Sequence, residues 1–350
     1  MGSWTVGIVG TGGIAQAHAN AWGALEHCEI VGCVDIDKRQ ANAFAETHGL
    51  PASAVYADTT RFLTEVEPDI VSVCTPESTH ESVVIDIART GIPLAVHAEK
   101  AMADTWGGAQ RLAHECNRRG IQLTINHQRR FGEPWRDVKA ALDAGIIGDL
   151  QRLEFSFTDL FTYGTHQIDT FGLWNGDRPA EWVIGQIDYR TENIFGGVDV
   201  ENQATGIWQY DNGVYGMVST GPGKPAVGSY SRVVGTTGDI RIEKNFDDDD
   251  PESYSVTISN IEDDTIERTS YETEHSFRNS AQAVIDGLES GESPGHCAEN
   301  ALKVTEIIFA MYESSRRRGR IDLPLDISDN PLTAMVESGE LTPAPREVDR

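Results

Sequence analysis

An apolar run over residues 4–9 ends in Gly10-Thr11-Gly12-Gly13-Ile14-Ala15, and a helical pattern follows it. This is G-x-G-x-x-A at a strand-to-helix junction, and few folds can use it. Gly10 permits a tight turn, Gly12 lets backbone approach a pyrophosphate, and Ala15 allows helix to pack closely on strand. The helix N-terminus then faces the anion. The next apolar run, residues 29–34, ends at Asp35, 23 residues after Gly12. A carboxylate there is placed to accept hydrogen bonds from both hydroxyls of an adenosine ribose, which predicts a dinucleotide site. It would repel a 2′-phosphate, and Asp37 adds to that. Lys38 and Arg39 could favour one, so NAD is preferred and NADP stays open. The structural alternative for Asp35 is a helix N-cap.

Strands and helices continue to alternate. Helical patterns cover residues 38–47, 60–66, 81–89 and 105–118; strands are expected at 54–56, 70–74, 93–96 and 121–125. Residues 70–74 are nearly all apolar, as in a parallel strand buried on both faces. Six strand units in so short a stretch predict a doubly wound parallel sheet over residues 1–125. Lys100 lies just beyond the strand at 93–96. Ligands of such sheets bind outside the carboxyl ends of the strands, so Lys100 is a candidate substrate group, with a solvated loop lysine as the alternative.

After Asn126 the pattern changes. A helix at 134–144 precedes alternating stretches at 150–157, 182–189, 204–210, 214–220, 232–235, 240–242 and 254–258. Asp211-Asn212-Gly213 and Thr236-Thr237-Gly238-Asp239 read as hairpin turns, so these strands form an antiparallel sheet. Helices follow at 277–289 and 298–318. The expected organisation is α/β plus α+β: a dinucleotide-binding domain (1–125), a substrate-binding and oligomerisation domain (126–326) and an acidic C-terminal tail (327–350).

Composition excludes several classes. With 55 acidic against 28 basic side chains the net charge is −27, which repels nucleic acid and anionic membranes. The spread of acidic residues and the aspartate run at 247–250 resemble the surfaces of proteins from salt-loving organisms, where ionic strength screens repulsion. The run itself reads as a solvated loop between strands. The five cysteines have neither C-x-x-C pairing nor regular spacing, so they are expected to be reduced core residues of a cytoplasmic protein, and no metal site is expected. No signal peptide opens the chain, and no apolar run approaches the roughly 18 residues of a membrane span.

The arrangement resembles the glucose-fructose oxidoreductase, inositol dehydrogenase and rhizopine-catabolism family (Gfo/Idh/MocA) over residues 4–325. The resemblance rests on the glycine motif, Asp35, Thr75-Pro76 with His80, Glu99-Lys100, Arg129-Arg130-Phe131, Gly145-Ile146-Ile147-Gly148 and Gly164-Thr165-His166-Gln167-Ile168-Asp169. It implies a Rossmann domain followed by an open, mostly antiparallel sheet, and oxidation of a sugar or cyclitol by NAD or NADP. It also implies that Gly10, Thr11, Gly12, Gly13, Ile14, Asp35, Thr75, Pro76, His80, Glu99 and Lys100 bind the cofactor. His166 would be the proton acceptor and Lys100 its electrostatic partner. Thr162, Tyr163, Asp169 and Arg130 are candidate substrate contacts; Asp169 would orient the imidazole or serve the helix dipole, and Arg129 and Arg130 would reach substrate or pair with carboxylates. A homodimer or homotetramer is expected.

Two positions depart from the family pattern. Its E-K-P signature reads Glu99-Lys100-Ala101 here, and Thr162 stands where an aspartate is usual, four residues before the histidine. The alternatives are a dinucleotide-binding sensor without turnover, or a glycosidase that oxidises its substrate transiently.

Overall fold

A computed structural model describes residues 3–244, 253–260, 265–272 and 275–346. The aspartates at 247–250 lie outside the described residues. The chain divides into two compact units: Met1–Gln128 with Phe277–Leu302, and Arg129–Ser276 with Lys303–Arg350.

In the first unit the order is β1 (Trp4–Val9), α1 (Gly13–Gly23), β2 (Cys28–Val34), α2 (Lys38–Thr47), β3 (Val55–Tyr56), α3 (Thr59–Val66), β4 (Ile70–Val73), α4 (His80–Thr90), β5 (Ala95–Ala98), α5 (Trp106–Asn117) and β6 (Gln122–Ile125). The strands form one parallel sheet in the order β3-β2-β1-β4-β5-β6, as the alternating pattern predicts. β4 and β5 are buried at every position, and their side chains are apolar apart from Ser72 and His97. Strand order reverses between β1 and β4, which opens a crevice at their carboxyl ends.

Glycine inside two strands makes room for a helix. A Cβ added to Gly7 of β1 would lie 2.5 Å from the Phe62 ring, and one on Gly32 of β2 would lie 2.7 Å from it. Phe62, on α3 and fully buried, fills the space those two residues leave.

The second unit contains α6 (Glu133–Asp143), β7 (Leu150–Phe155), α7 (Thr165–Trp174), β8 (Ala180–Asp188), β9 (Ile194–Phe195), β10 (Val198–Asp199), β11 (Gln203–Tyr210), β12 (Tyr215–Ser219), β13 (Ser231–Gly235), β14 (Gly238–Lys244), β15 (Ser253–Asn260) and β16 (Thr265–Glu272). Then come α8 (Ser276–Ser290), α9 (Ala298–Arg317), β17 (Ile321–Asp322) and α10 (Pro331–Glu337). Nine strands form a sheet in the order β16-β15-β14-β13-β7-β12-β11-β8-β17. Only the β7–β12 pair is parallel among these described pairings, so the mostly antiparallel expectation holds. Both expected hairpins form, and Gly213 supplies the positive φ (86°) its turn requires. On one face Trp208 lies across Gly216 of the neighbouring strand and stacks on Phe171 of α7. Gly185 and Gly206 admit Met311 of α9 against the same face.

Three features carry no signal that periodicity can detect. β16 (TIERTSYE) has no apolar alternation, and it lies at the sheet edge. The segment expected as an acidic tail holds α10, with Leu332 and Met335 buried. α8 belongs to the first unit: its Ala281, Val284 and Ile285 join the apolar cluster of Val6, Ala19, Trp22 and Ile70.

The ring of Phe62 over two strand glycines leads to a stability prediction. Phe62→Ala should cost about 3–5 kcal/mol, as is usual for emptying a buried aromatic site, and urea unfolding followed by circular dichroism would measure it.

Candidate active site

The β1–α1 loop is shaped as a phosphate cradle. Gly10 has φ +85°, and a Cβ on it would lie 2.7 Å from the Cys74 carbonyl, so this loop and the end of β4 meet at the crevice. Gly12 caps α1 without any side-chain hydrogen bond. A Cβ on Gly13 would meet nothing within 4 Å, and one on Gly12 would meet only the Gln40 amide at 3.9 Å. The first turn of an 11-residue helix therefore presents open backbone N–H groups to an anion. Ile14, beside them, is partly exposed.

Asp35 is tied to this loop. Its Oδ2 accepts from Thr11 N and Thr11 Oγ1, both at 2.8 Å, and from Gln40 Nε2 at 3.0 Å; Oδ1 accepts from Asp37 N at 2.9 Å. Burial would raise its pKa, but these donors outweigh burial and hold it below the usual range. The helix cap is Asp37, which accepts from Arg39 N, so Asp35 does not serve as the N-cap of α2. An open backbone cradle with an ionised carboxylate at the next strand fits a dinucleotide.

The loops after β4 and β5 hold Thr75, Pro76, Glu99 and Lys100. His80, fully buried at the start of α4, joins the Thr75 carbonyl and the Ala101 carbonyl, each at 2.8 Å, and so braces the two loops. The Lys100–Ala101 peptide is cis. Beneath Lys100, the Glu99 carboxylate accepts from His18 Nε2 (2.7 Å), Asn126 Nδ2 (2.6 Å) and the Lys100 amide (3.2 Å). Asn126 in turn accepts from Ser280 of α8 (3.0 Å), and His18 Nδ1 pairs with Ser72 of β4 (2.7 Å).

Burial acts against the charge on both partners of this pair and is overcome in each. For Glu99, His18, Lys100 and Asn126 hold the carboxyl down to about 2. For His18, the Cys74 thiol and Glu99 push the imidazole up to about 10. Sequence reading singles out Glu99 but misses His18, Ser72, Asn126 and Ser280, because a buried network has no spacing rule.

In the second unit, the candidate residues lie on one turn and the helix after it. A π-helical turn, Leu160–Gly164, carries Thr162 and Tyr163 and runs directly into α7, whose second residue is His166. Asp159 caps the turn: its Oδ1 accepts from Thr162 N (2.6 Å), Thr162 Oγ1 (2.7 Å) and Tyr163 N (3.1 Å). Thr162 therefore stands on a carboxylate three residues earlier in the chain. Thr162 and His166 are buried, whereas Tyr163 is exposed. Asp159 could have been found from the sequence, since an aspartate just before a helical segment is a favoured N-cap.

Asp169, one turn beyond His166, forms a buried ion pair with Arg130 Nε at 3.3 Å, and Arg130 also reaches Asp177 at 2.8 Å. Burial, and secondarily Asp177, push the Asp169 carboxyl up to about 7 against the opposing charge of Arg130. Arg129 donates to the Tyr230 hydroxyl and lies over the Trp135 ring. Arg130 thus pairs with carboxylates within the unit, as one of the two sequence readings expects, while Arg129 meets a tyrosine hydroxyl.

A model described as the oxidoreductase family's NAD-binding Rossmann fold matches residues 4–127, and one described as its C-terminal alpha/beta domain matches residues 153–323. The chain belongs to the Gfo/Idh/MocA oxidoreductase family. D-apiose dehydrogenase from Rhizobium rhizogenes is 22% identical over 90% of this chain and 96% of its own length. D-xylose 1-dehydrogenase (NADP(+)) 2 from Haloferax volcanii is 25% identical over 91% and 99%. An inositol 2-dehydrogenase from Burkholderia multivorans is 32% identical over 41% of this chain and 42% of its own. Among solved structures, an aldose-aldose oxidoreductase from Caulobacter crescentus shares the fold at a TM-score of 0.77, with 19% identity over 92% of this chain and 100% of that one. This family member is an oxidoreductase with an NAD-binding domain. Among the described residues, no helix is long and apolar enough to cross a membrane.

Two predictions follow from the first unit. Removing the Asp35 carboxylate by Asp35→Ala should weaken NADH binding about tenfold to hundredfold, the worth of hydrogen bonds to a charged group, as fluorescence titration would measure. The second concerns pH. A depressed Glu99 contributes stability that is present above its unfolded pKa and is lost as pH falls toward 2. A raised His18 contributes stability that is complete below its unfolded pKa near 6.5 and is lost as pH rises toward 10. The Tm of wild type should therefore fall from neutral pH toward 10, and His18→Gln should flatten that limb in calorimetric scans.

Proposed function

We propose that this enzyme oxidises a secondary hydroxyl of a sugar or cyclitol, with His166 taking the hydroxyl proton and Lys100 hydrogen-bonding the same oxygen. The observation that carries this reading is the position of Lys100, at the carboxyl end of β5 beside the strand-order reversal where α/β sheets bind their ligands. Relatives matched over nine-tenths of the chain, which are named as D-apiose and D-xylose dehydrogenases, support the substrate class. Bound nicotinamide would supply the hydride acceptor.

A base for the proton and a cation at the oxygen are what alcohol oxidation asks of the protein. Lys100, as a cation, would stabilise the charge developing on the oxygen while His166 accepts the proton. The ionised Asp35, with Asp37 close by, favours NAD over NADP. A cytoplasmic homodimer or homotetramer fits this reading.

Lys100→Ala and His166→Ala should each lower kcat by about 10²-fold to 10⁴-fold, the range for lost acid or base work. The assay is NADH formation across aldoses, inositols and other polyols, with NAD and NADP, at low and at molar salt. Near-wild-type turnover in either variant overturns the assignment. Cleavage of a chromogenic glycoside without net NADH would identify transient oxidation instead.

A further inference from the structure

Glu201, in the second unit, is a deeply buried carboxylate beside the turn that leads to His166, and the proposed chemistry does not use it. It is 1% exposed. One of its oxygens accepts from the Leu160 amide and the other from the Tyr312 hydroxyl of α9. Leu160 is the first residue of the π-helical turn. The first N–H groups of a helix have no partner within it. Here Glu201 takes that of Leu160, while Asp159 takes those of Thr162 and Tyr163. Phe161, on the same turn, packs edge-on against Phe309 of α9.

The turn is continuous with α7, so its register bears on the direction of His166. A π-turn holds one residue more than an α-turn, and one residue is worth about 100° of rotation about the helix axis. Relaxation of Leu160–Gly164 to ordinary α-helix would swing the face that α7 presents at its second residue. Burying two carboxylates at such a place is costly unless the geometry they impose is needed.

We propose that Glu201 is a positioning residue: by holding the Leu160 amide and the Tyr312 hydroxyl it keeps the π-turn in register and so sets the direction of His166. The inference rests on His166 being the proton acceptor. Burial, and then the Asp159 charge, push the Glu201 carboxyl up to about 8 against the Tyr312 and Leu160 donors. Glutamine keeps an oxygen for the Leu160 amide and an amide group within reach of the Tyr312 oxygen, so it is the nearest isostere. Asp159, before the turn, and Tyr312, from α9, are the titratable groups that face it among the described residues.

The test compares wild type, Glu201→Gln, Glu201→Leu, Tyr312→Phe and His166→Ala for kcat, KM, the pH profile of kcat, NADH affinity and Tm. Displacing a reacting group by about 1 Å can cost about a hundredfold, so Glu201→Leu should lose about tenfold to a hundredfold in kcat. Its acid limb should shift, while NADH affinity stays at the wild-type value. Glu201→Gln should restore both kcat and the pH profile. A merely structural role would lower Tm and leave kcat per folded enzyme and the profile unchanged.

Wild-type kcat in folded Glu201→Leu, or failure of Glu201→Gln to rescue, overturns the proposal. If Glu201→Leu does not fold, Tyr312→Phe decides: one lost hydrogen bond should lower kcat about threefold to tenfold, and an unchanged kcat overturns the proposal. Loss of kcat in His166→Ala with none in Glu201→Leu sinks this proposal alone. Retained kcat in His166→Ala instead sinks the reading of His166 as proton acceptor.

Discussion

The first unit depends on one buried ion pair. Glu99 and His18 lie 2.7 Å apart with almost no exposure, a poor arrangement unless further hydrogen bonds satisfy both groups. They do. Ser72 takes the other imidazole nitrogen, Asn126 and the Lys100 amide donate to the carboxylate, and Ser280 holds Asn126 from below. The pair therefore ties together α1, β4, the loop after β5, the end of β6 and α8. Because one end of this chain of bonds is the backbone of Lys100, the same network that holds the unit together fixes where that lysine leaves the sheet.

This explains why a helix from late in the sequence returns to the first unit. α8 supplies Ala281, Val284 and Ile285 to the apolar cluster and Ser280 to the polar one. Without it, Asn126 would lose a partner in a fully buried setting, where an unmet polar group is expensive. Arginine forms most of the surface ion pairs. Six of the 28 basic residues are lysines, and forks such as Arg111 with Glu81 hold both oxygens of one carboxylate. Such exposed pairs add little each, so the buried network matters more to the fold.

What could be read from the sequence follows physical locality. Gly10, Gly12, Asp35 and the apolar strands of the first unit act over short spans of chain, and periodicity and turn chemistry report them directly. Hairpins around Gly213 and Gly238 were legible for the same reason. Glu201 was not: it acts on Leu160, 41 residues away, through a contact that no pattern encodes. Thr162 stands where a carboxylate is usual, and Asp159, three residues earlier, supplies one to it.

The two units solve the same problem in different ways. In the first, a lysine at a strand end is steadied by a buried ion pair below its backbone. In the second, a helix carrying a histidine is held at its start by Asp159 and Glu201 and one turn on by Asp169, which pairs with Arg130. Asp169 follows His166 by three residues, so it marks the next step along the same face of α7. Its pairing with Arg130 anchors α7 one turn beyond His166. Side chains that must meet a reacting atom within tenths of an ångström need such anchoring, because loops alone do not supply it. The placement of buried charge beneath Lys100 and beside His166, costly in itself, is most simply understood as the means of holding those two groups still.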